Sequence, residues 1–466
     1  MDSVIVNDLR KLIPSMTVSS RPSDVKSTSS DALSFHDHHH WEKLQIKTPK
    51  IVVRPTTTQE IATLARYASD RTIPLVPRGG GTGVMGAAIP TRGGILIDLR
   101  GLNSIEMISK ENHLVVVQAG VVLESLSHSL TRHSLLLGHD PWSLPIATVG
   151  GAISTNGMGY LASKYGSMGS QVIGLEIVLP TGEVLPPSYS PKSAGPALKH
   201  LFIGSEGCLG IITRAVLEVF PIPEAQSLDA FMFPSFEHGF QVIQEFQSLG
   251  INPSVVDFAE EFSKSTGQWE TKLFLGFHGI QSEVMALKKR SHFLCQRNKG
   301  QALPLSEASS FWETRHQSGE RYKREVLDIP PGSRPIRRIQ PMDYLHVSIP
   351  VSNILEYRQE CQRLLDLNGF PVKEWSIWAR PEFFSLLLTD NREQAGKSAT
   401  TMTEVVDVML TMAQDYGGTM EYCHGVGLKR AHLMKREIGP GLKTLDRIKR
   451  TLDPANVMNP GKLGLD

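Results

Sequence analysis

The chain has 466 residues, 40% of them hydrophobic, enough for roughly three units of about 150 residues, each with a core of its own. Its 48 Lys and Arg stand against 47 Asp and Glu, a net +1, so bulk charge recruits neither nucleic acid nor an anionic membrane surface. Cys208, Cys295, Cys361 and Cys423 lie far apart with no C-x-x-C pair, which argues against a disulfide scaffold, a zinc knuckle or a protein-held iron–sulfur cluster and fits reduced thiols in a cytosol.

No window of about 18 apolar residues is present, so no transmembrane segment is expected. The first forty residues have neither the apolar core of a signal peptide nor the acid-poor pattern of a transit peptide. They read as a short helix over 8–12 and a Ser-rich connector that reaches His36, Asp37, His38, His39 and His40. Consecutive histidines cannot all face one ion, so the cluster reads as a solvated loop. A strand over 51–54 follows, then a Thr57-x-x-Glu60 capping box and apolar Ile61, Leu64, Ala65 and Ala68 at helical spacing. Strands are predicted over 73–76, 94–99 and 113–118, and a helix over 123–137. The small, polar run 139–159 reads as backbone wrapped around a ligand. A hairpin turning at Thr181-Gly182 and a strand over 209–220 precede Pro221 and Pro223, where a domain boundary is placed. Helices at 237–249, 281–297 and 353–368 alternate with strands at 272–277, 344–349 and 375–388, which describes a second α+β unit with its own sheet. Two basic amphipathic helices close the chain, their charge read as a solvated face rather than a membrane or partner contact. The expected division is 1–45 as helix and connector, 46–223, 224–425, and 426–466 returning to the first domain.

Glycine lets backbone N–H groups approach phosphate oxygens without Cβ obstruction, and successive N–H groups can turn inward as an anion nest. Three such loops, 79–86, 150–159 and 204–210, imply one long phosphorylated ligand. Gly81-x-Gly83-x-x-Gly86 matches the dinucleotide fingerprint, but it leads through Gly93-Gly94 to a strand instead of opening a helix. An NAD-linked Rossmann enzyme is therefore disfavoured.

PRGGGTGVMGAAIPTRGGILIDL (77–99), PIATVGGAISTNGMG (145–159), YGSMGSQVIGLEIVLPTGEVL (165–185), IGSEGCLGIIT (203–213), HGVG (424–427) and DPANVMNPGKLG (453–464) together resemble the vanillyl-alcohol-oxidase type of FAD-linked oxidase. Within it they are nearest the glycolate oxidase FAD subunit, the D-lactate and D-2-hydroxyglutarate dehydrogenases, and alkyldihydroxyacetone-phosphate synthase. The resemblance implies an α+β fold: a two-lobed FAD-binding domain, a cap with an antiparallel sheet, and C-terminal helices returning to the FAD domain. It implies that Pro77, Arg78, Gly79, Gly80, Gly81, Thr82 and Gly83 hold the pyrophosphate. Pro145, Thr148, Val149, Gly150, Gly151, Ser154, Asn156, Gly157 and Tyr160 would line the flavin. Glu206, Gly207, Gly210, Ile211 and Ile212 would contact the adenosine part, with Asn459 assigned to the same cofactor. Members that tether flavin through histidine usually carry it where this chain has Thr82, so FAD is expected without a covalent link. Cys208 replaces the usual Thr and is given a packing role.

Flavin-dependent oxidation of an alcohol needs a base for the hydroxyl proton and a group that holds the remaining charge. The resemblance places His424 over the flavin as that base, and an ordinary histidine titrates near pH 6.5. Arg380, among apolar neighbours, and Arg315, beside His316, are the candidates for gripping a carboxylate. Arg337-Arg338 reads as a solvated or phosphate-facing edge. The metal-assisted members carry two cap-strand histidines and a Glu before the HGVG histidine; gapless alignment puts Ile377, Phe384 and Cys423 there, so no metal is expected. Alkyldihydroxyacetone-phosphate synthase has a triple histidine and a cap-strand tyrosine, where this chain offers Tyr422-Cys423-His424 and Trp378, leaving Tyr422 as a partial substitute and Trp378 as a substrate contact.

The first reading is thus a cytoplasmic FAD-dependent dehydrogenase, peripheral to a membrane at most, that oxidises a small 2-hydroxy acid resembling D-lactate or glycolate. It would pass electrons to an acceptor still to be identified, a protein or a quinone. A homodimer is among the assemblies the sequence allows. The alternatives are a polyol, aryl alcohol or ether-lipid precursor as substrate, or a non-catalytic flavoprotein subunit of an oxidase complex.

Overall fold

Every residue of Ile95–Asp98 is buried, as are the first three of Ile51–Arg54, which is the pattern of parallel strands covered on both faces. In the computed structural model, which describes residues 2–33, 48–191, 194–263, 266–330, 342–390 and 401–465, these are β2 (Ile51–Arg54) and β4 (Ile95–Asp98) of a sheet ordered β1-β2-β4-β3. Its edges are β1 (Thr17–Ser19) and β3 (Leu75–Arg78), with β2, β4 and β3 parallel. The helix Thr58–Asp70 crosses from β2 to β3, and Thr57 accepts the Glu60 N–H at 3.2 Å. Glu60 does not close the capping box; its carboxylate takes the Thr56 N–H at 2.6 Å and the Ser15 hydroxyl at 2.5 Å. The histidine cluster at 36–40 and Arg337-Arg338 lie outside the described residues.

A second sheet is wholly antiparallel, ordered β5-β6-β10-β8-β9. Its strands are Ile105–Ser109, Leu114–Gln118, Ile211–Glu218, Val172–Val178 and Val184–Leu185 in that order. The helix expected over 123–137 is shorter, Leu123–Thr131, because Leu135–Leu136 pairs as β7 with β11, Phe220–Pro221.

The third sheet has seven antiparallel strands ordered β15-β12-β14-β13-β17-β18-β16. They are Gln301–Ala302, Ala225–Phe233, Gln268–Gly279, Val255–Ser263, Val372–Trp378, Phe383–Thr389 and Met342–Ser348. The strand expected over 375–388 is in fact two, β17 and β18. Between them Ala379 takes a φ of +61°, and Pro381, with a fixed φ and no N–H, cannot continue a ladder. Helices Phe236–Ser248, Gln281–Arg297, Ile354–Asn368 and Met402–Asp415 cover one face, burying Phe231, Phe258, Leu275, Trp375, Ile377 and Phe384. Alternation along the strands then sends Tyr344, His346, Ser376, Trp378 and Ser385 to the opposite face. Ile377 and Phe384 are direct cross-strand partners, fully buried in that core. The positions read as equivalent to the metal-binding histidines therefore point away from the lobes, one residue out of phase with the face that meets them.

The chain's end returns to the first sheet. Leu75 bridges Met458, donating its N–H to the Val457 carbonyl at 2.7 Å while its own carbonyl accepts the Asn459 N–H at 2.8 Å. Among the described residues no helix is long and apolar enough to cross a membrane.

Candidate active site

A cleft runs between the two smaller sheets, walled by the loop after β3, the segment 147–160 and the loop before β10. Of the expected cofactor residues, Pro77, Arg78, Gly79, Gly80, Gly81, Thr82, Gly83, Thr148, Gly150, Gly151, Ser154, Gly157, Tyr160, Glu206, Gly207, Gly210, Ile211 and Ile212 line it. Four do not. Val149 is fully buried in the second lobe's core, and Pro145 is buried beside it. Asn156 caps a helix, accepting the Gly169 N–H at 3.0 Å. Asn459 braces two loops, donating to the Ala87 carbonyl at 2.9 Å and the Glu206 carbonyl at 2.6 Å.

The loop after β3 is built for a close approach. A Cβ on Gly80 would strike the Ile146 carbonyl oxygen and one on Gly79 the Thr148 hydroxyl, so the two walls touch only because both residues are glycine. Among the described residues, none accepts a hydrogen bond from the N–H groups of Gly80, Gly81, Thr82 or Gly83. Arg78, 2% exposed beneath them, has an unpartnered Nε, and buried His139 in the same cleft has an unpartnered Nδ1. Unspent donors over a buried guanidinium fit a phosphate. His139 sits at the start of the run read as ligand-wrapping, but it was not singled out.

Glu206 joins this cleft to the 424–427 loop. Its carboxylate accepts the Val426 N–H at 2.6 Å and the Gly427 N–H at 2.9 Å, and burial pushes its pKa up to about 7. The loop turns through Gly425 and Gly427, both at positive φ.

His424 lines the end of the cleft beneath the third sheet. Its Nδ1 has no hydrogen-bond partner and stands 4.0 Å from Glu421 Oε1, an atom occupied by the N–H groups of Cys423 and His424, each at 2.8 Å. Burial, and then Lys429, lower its pKa to about 4. The imidazole is neutral well below the range expected from an ordinary histidine. Facing it edge-on at 4.5 Å between ring centroids is His346 of β16, 1% exposed and held neutral by burial. His346 Nδ1 meets the Ser385 hydroxyl at 2.7 Å, and Ser385 in turn meets the Tyr422 hydroxyl at 2.7 Å. His346 was missed in the sequence. Its signal is the alternation Tyr344, His346, Ser348 against buried Leu345 and Val347, which puts it on the face away from the core.

Trp378 lines the cleft, stacked 28° from Tyr160 at 6.4 Å, with its Nε1 unpartnered. Tyr422 lies behind the lining, flat against Phe383 at 4.4 Å. The two arginines are placed elsewhere. Arg380 is in the β17–β18 turn, its side chain 57% exposed and paired with Glu382 at 2.5 Å. Its guanidinium stands 5.8 Å over the Phe383 ring and does not line the cleft. Arg315 pairs with Asp140 at 2.8 Å and covers the Trp312 ring at 3.9 Å; it clasps the third sheet's helices to the second lobe and does not line the cleft. The sheet wall carries carboxylates instead: Asp257, raised to about 7 by burial and then by Glu374, and Glu374 itself, which accepts the Tyr344 hydroxyl at 2.5 Å. Among the described residues no His, Cys, Asp and Glu group is arranged to hold a metal.

Comparison with known proteins agrees with this architecture. Residues 49–186 match the family described as FAD binding domain, and residues 222–463 match FAD linked oxidases, C-terminal domain. The chain is 28% identical over 433 residues to a D-lactate dehydrogenase of Anaerostipes hadrus, with 89% of each chain covered. It is 26% identical over 431 residues to glycolate oxidase subunit GlcD of Bacillus subtilis, again with 89% of each covered. A crystal structure of p-cresol methylhydroxylase with substrate bound superposes with a TM-score of 0.77 at 18% identity, covering 100% of this chain and 97% of that one.

Proposed function

Because this chain belongs to the FAD-linked oxidases, we propose that it oxidises the alcohol carbon of a small hydroxylated substrate, with His424 accepting the hydroxyl proton. The observation that carries the reading is a neutral imidazole with an unpartnered Nδ1 in the lining of the cofactor cleft. The N–H groups of Gly80 to Gly83 and Arg78 would hold the FAD pyrophosphate, and Thr82, where a tethering histidine would stand, leaves the cofactor non-covalent. When bound, FAD supplies the two-electron acceptor for the substrate's C–H hydrogen. The protein's own part is to aim the hydroxyl at His424, to exclude water with Tyr160 and Trp378, and to keep the imidazole uncharged so that it can take a proton. The four widely spaced cysteines offer no C-x-x-C pair for an iron–sulfur relay, which supports a separate acceptor, a protein or a quinone, for the onward step. The four cysteines are free and buried, which supports a reducing compartment.

A 2-hydroxy acid is the substrate class that the names of the relatives favour. A second reading, a neutral polyol or aryl alcohol, is favoured by a specific observation: Arg315 and Arg380 are paired outside the cleft lining, and the charged groups Asp257 and Glu374, also outside it, are carboxylates that act on Tyr160 of the lining. Mixing the yellow protein anaerobically with D- and L-2-hydroxy acids, polyols and aryl alcohols and following flavin absorbance separates them. Bleaching by one class identifies it, and no bleaching by any, with dithionite still effective, removes the catalytic reading.

A further inference from the structure

The family match begins at residue 49, yet one residue ahead of it reaches the cofactor cleft. Asp31 follows the helix Pro22–Thr28 and lines the same cleft as the glycine loop. It is 6% exposed; Oδ1 accepts the Leu33 N–H at 3.0 Å, and Oδ2 has no partner. Oδ2 points at the loop, 3.7 Å from where a Cβ on Gly83 would stand. Its segment is tied down there: the Ala32 N–H donates to the Gly83 carbonyl at 2.9 Å, Arg78 Nη2 to the Ser30 carbonyl at 3.4 Å, and Leu33 is buried with Ile89 and Leu428. Resting on the reading that this cleft binds FAD, we propose that Asp31 is a ligand of the diphosphate, its protonated carboxyl donating from Oδ2 to a phosphate oxygen, so that the cofactor binds with uptake of one proton.

Two anions buried side by side repel, and a shared proton turns the contact into a hydrogen bond. The charged groups facing Asp31 are Arg78 at the end of β3, Lys462 near the chain's end and Glu206 in the loop before β10. Burial already raises Asp31 to about 6, with the Leu33 N–H, Arg78, Lys462 and the Ala88 N–H pulling the other way; an added diphosphate raises it further. The sign follows: protons bind more tightly to the FAD complex than to the free protein, so affinity falls as pH rises above about 6. One proton corresponds to at most tenfold per pH unit. Glu206 titrates nearby as well, so the Asp31 share has to be isolated by substitution.

The test is FAD titration of the full chain, stripped of flavin, at pH 6 and pH 8, followed by flavin fluorescence. The parent is expected to bind about 10- to 50-fold more weakly at pH 8. Asp31→Asn, whose amide donates without titrating, is expected to match the parent at pH 6 and to bind about tenfold tighter than it at pH 8. The same pH slope in parent and variant would assign the proton to Glu206 and overturn the proposal, as would weaker binding of the variant at both pH values. If the variant does not fold, a parent affinity that is flat from pH 6 to pH 8 overturns it alone. No FAD binding at either pH removes the cofactor reading itself.

Discussion

Burial gives His424 an environment that disfavours the charged imidazolium. Desolvation favours the uncharged ring, so its pKa near 4 leaves it ready to accept a proton at any pH from about 5.5 upward. Substrate-driven flavin reduction is therefore expected to be level between about pH 5.5 and 8 on the acid side and to fall only toward pH 4; a limb centred near 6.5 would contradict the burial. His424→Ala should keep the protein yellow and slow that reduction by roughly 100-fold or more, and stopped-flow absorbance decides between that and a change within threefold. Arg380→Ala is expected to leave the reduction rate within about twofold, because an exposed pair with Glu382 contributes little beyond the surface. These two residues show what could be read in advance. The place of His424 in the cleft lining was legible from the HGVG motif, whose resemblance put it there and whose glycines leave room beside it. Arg380 misled because its apolar neighbours belong to two strands, and a turn between strands exposes a side chain that a continuous strand would have buried.

At the scale of the element, the cleft is a meeting of loops that tolerate no side chain. Gly80→Ala would force the loop after β3 off the Ile146 carbonyl, and FAD affinity is expected to drop more than tenfold while the strands on either side persist; fluorescence titration together with circular dichroism checks both halves. The spacing of glycines made these loops readable, since small residues between strands signal backbone approach. What the spacing did not reveal was which residues merely support them. Val149 and Asn459 share motifs with true lining residues, yet one is in a core and the other spends its amide on two carbonyls. His346 stayed hidden for a related reason: strand alternation puts it on the face away from the core, but what that face meets depends on a sheet order in which Met342–Ser348 pairs with a partner some forty residues later in the chain.

In the molecule as a whole, the closing segment is a structural member. Lys449 Nζ, in the last helix, donates to the Cys208 and Met458 carbonyls at 2.8 Å and pairs with Asp453, and Asp453 accepts the Val457 and Met458 N–H groups at 3.0 and 2.8 Å, all of it buried. Removing one partner of a buried pair leaves a charge stranded, so Asp453→Ala should cost about 3–5 kcal/mol, read as a lowered denaturation midpoint. The return of the tail to the first lobe was expected from resemblance; the hub that fixes it was not, because no periodicity marks a lysine as buried. That hub also makes the first lobe dependent on residues beyond the third sheet in chain order. Met458 bridges Leu75 in parallel, so the strand that leads into the glycine loop has on one side a neighbour that its own lobe does not supply.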